Sequence, residues 1–384
     1  MKRIYLDHNA TTRPAPEVVE AMLPFLREDF GNPSSIHWFG QQAHRALDRA
    51  REQAARLIGA APDEIVFTSG GTEADNHALR GVADAPGARG RALVTSAIEH
   101  HAILAACRFL ESRGTPIVHL GVDETGLVDP AQARAALAGG AALVSVMLAN
   151  NDVGTVEPVA EIAAAARERG ALSHTDAVQA VGKIPVNVAE LGVDLLSFSS
   201  HKIYGPKGVG ALYVRRGAAL SPLLFGGSHE GRRRGGTENV PGIVGFGNAC
   251  ELAAQRLAAR AERAARRRDR LQQELLARFP AARVNGHATR RLPNTLNITF
   301  PGLDNESLLL NLDLLGVAAS AGSACASGSR EPSHVLVAMG RTAVESRGSL
   351  RFSFGEENED GDVDRVVEAL ASIVARLAAG EQTA

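Results

Sequence analysis

A chain of 384 residues, 45% of them apolar and with a formal net charge of −2, has the material for a sizeable core; at this length roughly three quarters of the unfolded surface can be buried, in one large domain or two. The near-neutral charge and an aromatic content of 4% argue against bulk nucleic-acid binding and base-stacking platforms. The first residues lack the apolar stretch of a signal peptide, and the longest apolar run, 141–149, is far too short to span a bilayer, so a cytoplasmic protein without membrane contact is expected.

Strands and helices alternate along the chain. Residues 4–12 read as a short strand breaking into a polar turn, and Pro14 and Pro16 precede a helix over 17–27. Residues 31–35 form a loop, with turn chemistry the default role for Asn32 and Ser34, and a long helix covers 40–58. The strand at 64–68 runs into Ser69-Gly-Gly-Thr72, with a helix over 73–80. A Gly-rich turn at a helix N-terminus points free N–H groups at an anion, so Gly71 and Thr72 are a phosphate-cradle candidate, with Thr72 as an N-cap the compatible plain reading. Further strands are expected at 92–95, 116–120, 142–148, 172–175 and 195–199, and helices at 99–113, 130–137 and 159–169. Such alternation argues for a mostly parallel sheet covered by helices on both faces, with ligands at the carboxyl ends of its strands. Those ends carry residues 69–72, His100, Asn150, Asn151, Asp176 and Lys202.

The basic Gly-rich segment 225–239 reads as a mobile loop, and a long helix follows from Pro241 to Phe279, in which 266–268 (Arg-Arg-Arg) is expected to be a solvated face. A strand at 295–300, a helix at 304–315, a strand at 349–354 with Arg351 as its one charge, and a helix at 362–377 complete the chain. An arginine so placed suits a bidentate clamp on a carboxylate. Between them, 318–329 is entirely Ala, Ser, Gly and Cys, a composition that reads as a flexible loop carrying Cys325. Three cysteines without a C-x-x-C pair exclude a disulfide framework and the common zinc knuckles. Cys107 and Cys250 fall in apolar helical patterns as packing residues.

The segment 195–214 is the most informative. A buried strand ends in Ser199-Ser-His-Lys202, turns on Gly205-Pro206 and Gly208, and returns as a second strand at 209–214. A lysine on a rigid turn past a strand end, partly desolvated, can act as an amine nucleophile. An amine, an anion cradle, a carboxylate and an imidazole together suit pyridoxal phosphate.

With these parts assembled, the sequence resembles the cysteine desulfurases of the class V aminotransferase group. The resemblance rests on Tyr5-Leu-Asp-His-Asn-Ala-Thr-Thr12, Thr68-Ser-Gly-Gly-Thr-Glu73, Glu99-His100, Asn150-Asn151, His174-Thr-Asp-Ala-Val-Gln179, Ser197-Phe-Ser-Ser-His-Lys202, Gly236-Thr-Glu-Asn239, Gly322-Ser-Ala-Cys325 and Arg351-Phe-Ser-Phe-Gly355. It implies a fold-type I α/β architecture. A large pyridoxal-phosphate domain at 15–248, with a mostly parallel seven-stranded sheet, is joined by a smaller α+β domain from 1–14 and 249–384 that carries the Cys325 loop. It implies Lys202 as the Schiff-base lysine, Asp176 as partner of the pyridine nitrogen, and His100 as the ring-stacking acid/base. Asn151 and Gln179 bond the ring substituents, and Gly71, Thr72, Ser199 and His201 cradle the phosphate with Ser200 alongside. Thr237 reaches the phosphate of a neighbouring subunit in a homodimer. Asn32 and Arg351 hold the carboxylate of L-cysteine. Cys325 accepts the sulfur as a persulfide, through which it can also be a transient iron–sulfur ligand, and passes it to an iron–sulfur scaffold or another sulfur-acceptor protein, tRNA thiolation included. Selenocysteine lyase or cysteine sulfinate desulfinase activity on the same scaffold is the alternative.

Overall fold

The computed structural model describes residues 3–321 and 332–381. Cys325 and the rest of 322–331 lie outside the described residues.

The strands are β1 (Ile4–Tyr5), β2 (Ile65–Thr68), β3 (Leu93–Ser96), β4 (Ile117–Leu120), β5 (Leu143–Ser145), β6 (Leu172–Asp176), β7 (Leu195–Ser199), β8 (Gly210–Val214), β9 (Arg283–Asn285), β10 (Thr295–Thr299), β11 (Val317–Ala318) and β12 (Ser349–Ser353). Seven of them form one sheet in the order β2-β8-β7-β6-β5-β3-β4. β3 to β7 pair in parallel, and β8 pairs antiparallel with both β2 and β7, so β8 alone runs against the rest. The mostly parallel seven-stranded sheet is therefore as expected.

Strands buried on both faces read as nearly continuous apolar runs. Successive residues of a strand point to opposite faces, and neighbours in sequence accordingly enter different cores. Phe67, Leu196 and Tyr213 pack against the helices Trp38–Ile58 and Val240–Arg278. Val66, Leu195 and Leu212 pack against Gly71–Ala83 and His101–Ser112. A separate antiparallel sheet, β12-β10-β9, builds a further core with the helices Asn305–Leu314 and Asp360–Glu381. Ile4 and Leu6 join that core, as do Ala264, Leu271 and Leu275 from the far end of the 39-residue helix Val240–Arg278. That helix thus feeds both cores.

Three local expectations change. The helix after β2 starts at Gly71, capped by Gly70 at φ 153°, a conformation that favours glycine; Thr72 lies inside its first turn and is not the N-cap. Of the arginine run, only Arg266 is well exposed: Arg268 is buried and donates to the Leu292 carbonyl, and Arg267 bonds Asp360. The segment 225–239 is pinned to the sheet, because Glu230 accepts two hydrogen bonds from Arg51 and a third from the Phe67 N–H.

Where β8 passes the β2 turn, Gly210 leaves no room for a side chain. A Cβ there would lie 2.8 Å from Gly70 Cα and from the Phe198 carbonyl oxygen, both backbone atoms that cannot swing away. Gly210→Ala is expected to destabilise the protein by about 1–3 kcal/mol, read as a lower denaturation midpoint; an unchanged midpoint would show that the strands can separate at little cost.

Candidate active site

A cavity of about 260 Å³ opens at the carboxyl ends of the parallel strands. Each strand delivers a side chain because the backbone leaves the ladder there and turns. β2 ends in the turn that starts the Gly71–Ala83 helix, so Gly71 and Thr72 present their N–H groups at a helix N-terminus. β6 ends at Asp176, β7 at Ser199, and the short helical turn Ser200–Lys202 brings His201 and Lys202 to the same wall. His100, Asn151, Gln179 and Arg351 also line it.

Lys202 is held from below, its Nζ donating to the carbonyls of Asn9 and Ala10 at 2.6 and 2.7 Å. His100 caps the helix His101–Ser112, its Nδ1 accepting from the Ala102 N–H, which leaves Nε2 for the cavity's chemistry. Burial holds this imidazole below its ordinary range, Asp176 opposes the shift and Lys202 adds to it. Asp176 accepts from the Val178 N–H in a tight turn rather than capping a helix. Burial raises its carboxyl, while His100 and Lys202 pull it back toward the anion. His201 bonds Thr11 Oγ1 and is lowered to about 4 by burial and by Lys202. Arg351 is buried, donating to Asp7 at 2.7 Å and to the Asn151 carbonyl at 3.0 Å, with its Nε unpartnered.

Three expected site residues do not line this cavity. Asn32 is exposed and does not line the cavity; its Oδ1 accepts from the Ser34 N–H, which is turn chemistry. Thr237 is exposed on the segment 225–239, away from this chain's own cavity. Ser200 is fully buried behind the wall, its hydroxyl against Gly205 and without a partner.

Three residues that carried no assigned role do enter the site. Asn9 lines the cavity and accepts from Lys202 and Gln179. Asp75 is a second buried carboxyl on the cavity wall, raised well above the usual range by burial and then by Asp176. Lys183 donates to Asn9 Oδ1 and Gln179 Oε1, and burial, Lys202 and Arg351 push it well below an ordinary lysine. Beneath them Ser145, His174 and Ser197 form a hydrogen-bonded chain. His174, lowered to about 3 by burial, is neutral there, so its 3.8 Å approach to Asp75 is not an ion pair.

The wall suits an anionic, ring-bearing group. Ser199, on this wall, has a buried hydroxyl without a hydrogen-bond partner. Gly71 is where a Cβ would strike Val178 at 2.7 Å, so the helix terminus sits as close to the wall as backbone allows. Among the described residues no group of side chains is arranged to hold a metal ion, and no helix is long and apolar enough to cross a membrane.

The family model for class-V aminotransferases matches residues 4–366. A cysteine desulfurase of Trichormus azollae is 51% identical over 379 residues, covering 99% of this chain and 94% of the relative. The cysteine desulfurase IscS of Dictyoglomus turgidum is 50% identical, covering 98% and 96%. Among solved structures, a NifS-like protein superposes with a TM-score of 0.91 at 37% identity, over 97% of this chain and 99% of that one. SspA in complex with cysteine does so with a TM-score of 0.82 at 35% identity, over 92% and 99%.

Glu99, next to His100, gives the site a pH signature. Its carboxyl accepts from Ser96 and from the Met147 N–H, yet burial pushes it up to about 8. The native state keeps this proton where the unfolded chain loses it near 4.5. Its contribution to stability is therefore full below about pH 4.5 and is lost as pH rises through about 8. In Glu99→Gln the fall in melting temperature between about pH 5 and pH 8 is expected to become shallower, with Glu157, Asp75 and Asp176, raised in the same way, among the groups behind the remainder. Parallel curves for the two proteins would show that Glu99 is ionised in the native state.

Proposed function

The chain belongs to the class-V aminotransferase family, and on the geometry of its site we propose that it is a cysteine desulfurase, taking sulfur from L-cysteine to leave L-alanine and an enzyme persulfide. The observation that carries this reading is the meeting of one amine, Lys202, one imidazole, His100, and one buried carboxyl, Asp176, in a single cavity beside a helix N-terminus.

Pyridoxal phosphate fits that cavity, and when bound it supplies an electron sink next to the substrate α-carbon. Gly71, Thr72, Ser199 and His201 would hold its phosphate, with Ser200 buttressing the turn, and Asp176 would face its ring nitrogen. Asn151 and Gln179 would fix the ring substituents. The chain's own residues do the rest. Lys202 Nζ, positioned by the Asn9 and Ala10 carbonyls, would hold the aldehyde of that group and, when free of it, could carry the substrate's α-proton. A neutral His100 at physiological pH, its Nδ1 occupied as acceptor of the Ala102 N–H, carries the ring proton on Nε2 and offers a hydrogen-bond donor there. Arg351, with its orientation set by Asp7, clamps the substrate carboxylate. Cys325, as thiolate, attacks the substrate sulfur: the S–S bond of the persulfide forms as the substrate's Cβ–S bond breaks, and that bond's electron pair stays with Cβ, which is protonated on the way to alanine. A thiol of ordinary pKa, about 8.5, is only partly ionised at neutral pH, so a locally lowered value would speed this step.

In this reading the protein is a homodimer in which Thr237 completes the partner's phosphate site. The division into domains at 15–248 and at 1–14 with 249–384 is part of the same proposal. The persulfide passes to an iron–sulfur scaffold or another sulfur carrier.

The test is release of sulfide and alanine from L-cysteine in the presence of a reductant. Cys325→Ala is expected to keep the yellow cofactor absorption and to lose activity by about a thousandfold or more. Full retained activity on cysteine would remove Cys325 as the nucleophile and move selenocysteine or cysteine sulfinate ahead as the substrate.

A further inference from the structure

Lys202 borders a second cavity, of about 40 Å³, that shares no other lining residue with the first. His8, Lys183, Tyr204, Arg260 and Glu356 are among its walls. Arg260 comes from the helix Val240–Arg278 and is only 8% exposed. Its Nε donates to Glu356, and its guanidinium lies 4.6 Å over the Tyr204 ring. Both terminal nitrogens, Nη1 and Nη2, are buried without a hydrogen-bond partner. A desolvated guanidinium that leaves most of its donors unused is costly, and its natural complement is an anion.

The other walls point the same way. Tyr204 sits at φ 68°, an uncommon conformation for a bulky residue, and its oxygen accepts from the Glu356 N–H, so the hydroxyl proton is left to donate. Lys183, Lys202, Arg263, Arg267 and His8 face the cavity. Against them stand Glu356, which also meets Arg256, with Glu357 bonded to His8 and Asp360 bonded to Arg267. Cations outnumber carboxylates, and Lys183 is lowered first by burial and then by the positive charges of Lys202 and Arg351. The volume admits one small ion with little water and excludes a cofactor or an amino acid.

We propose that this cavity is a binding site for a small monovalent anion, of halide or nitrate size, seated on Arg260 Nη1 and Nη2 and the Tyr204 hydroxyl behind Lys202. A negative charge there favours the protonated form of Lys202. The site therefore links the anion content of the medium to the protonation of the amine that the proposed chemistry needs free.

The test uses the holoenzyme in sodium bromide and in sodium gluconate at equal ionic strength, gluconate being too large to enter. Bromide is expected to raise the melting temperature by on the order of 1–3 °C over gluconate and to shift the pH midpoint of the cofactor–lysine absorption upward. Both differences should vanish in Arg260→Leu and in Tyr204→Phe, the second of which keeps the ring under the guanidinium. Crystals grown in bromide should show an anomalous peak between Arg260 and Tyr204. Equal behaviour in the two salts, a bromide response that survives in both variants, or a cavity holding only water would overturn the proposal. None of these readouts depends on cysteine turnover, so the anion site and the desulfurase reading stand or fall separately.

Discussion

The site is held together by one asparagine. Asn9 is 1% exposed and spends every hydrogen-bonding group it has. Its N–H donates to Ser353 Oγ; its side-chain amide donates to the Asn151 carbonyl and to Thr295 Oγ1. Its side-chain oxygen accepts from Lys183 and Asn294, and its carbonyl from Gln179 and Lys202. Those partners belong to β10, to β12 and to the turns that follow β5, β6 and β7. A buried amide so fully engaged has one orientation, because rotating it would set donors against donors. The amine at Lys202 is thereby placed by a residue from the first turn of the chain, and the second sheet is tied to the carboxyl edge of the first.

Desolvation dominates the electrostatics around that hub. Glu99, Asp75 and Asp176 are raised and His100, His174 and Lys183 lowered, with burial the largest cause in every case. The groups differ in what opposes it. Asp176 has His100 and Lys202 facing it and is drawn toward the anion, whereas Asp75 has Asp176 itself as a neighbour and is driven further toward the acid. Two carboxyls on one wall are thus separated in character by their surroundings, with charge favoured on the one whose neighbours are basic. Lys202 stands between two chambers, a larger one with Asp176 and a smaller one dominated by arginines. Its protonation answers to both.

Most of the large sheet was legible because its strands are short apolar runs ending in polar turns, a pattern that marks the strand's carboxyl end as well as its position. The residues read from those ends, from Gly71 to Lys202, are the ones the fold brings together. The hub was not legible: Asn9 bonds residues 142 to 344 positions away, and nothing in a polar turn announces such partners. Asp75 and Lys183 escaped for a related reason, since polar residues near helices and turns read as solvent-facing until the packing around them is known. Arg268 shows the opposite error, a charge run read as one face although successive residues of a helix point in different directions. Nor does composition reveal restraint, as the segment 225–239 demonstrates.

That segment is glycine-rich and basic, yet Glu230 and Arg232 hold left-handed backbone angles, φ 47° and 66°, which cost of order 1–3 kcal/mol each for residues other than glycine. What offsets the strain is the buried Glu230 carboxylate, which takes both arms of Arg51 and the Phe67 N–H. With Glu230 fixed, Arg234 is brought within 3.0 Å of Glu73. Burial alone would raise Glu73, but Arg234 and Ser69 outweigh it and keep the carboxylate charged. The same carboxylate accepts the Ser69 N–H, one residue before the Gly70 cap. A strained loop is thus coupled, through two ion pairs, to the turn that orients the free N–H groups of Gly71 and Thr72. The turn at the edge of the sheet keeps its shape because the loop beside it is tied down through Glu230 and Arg234.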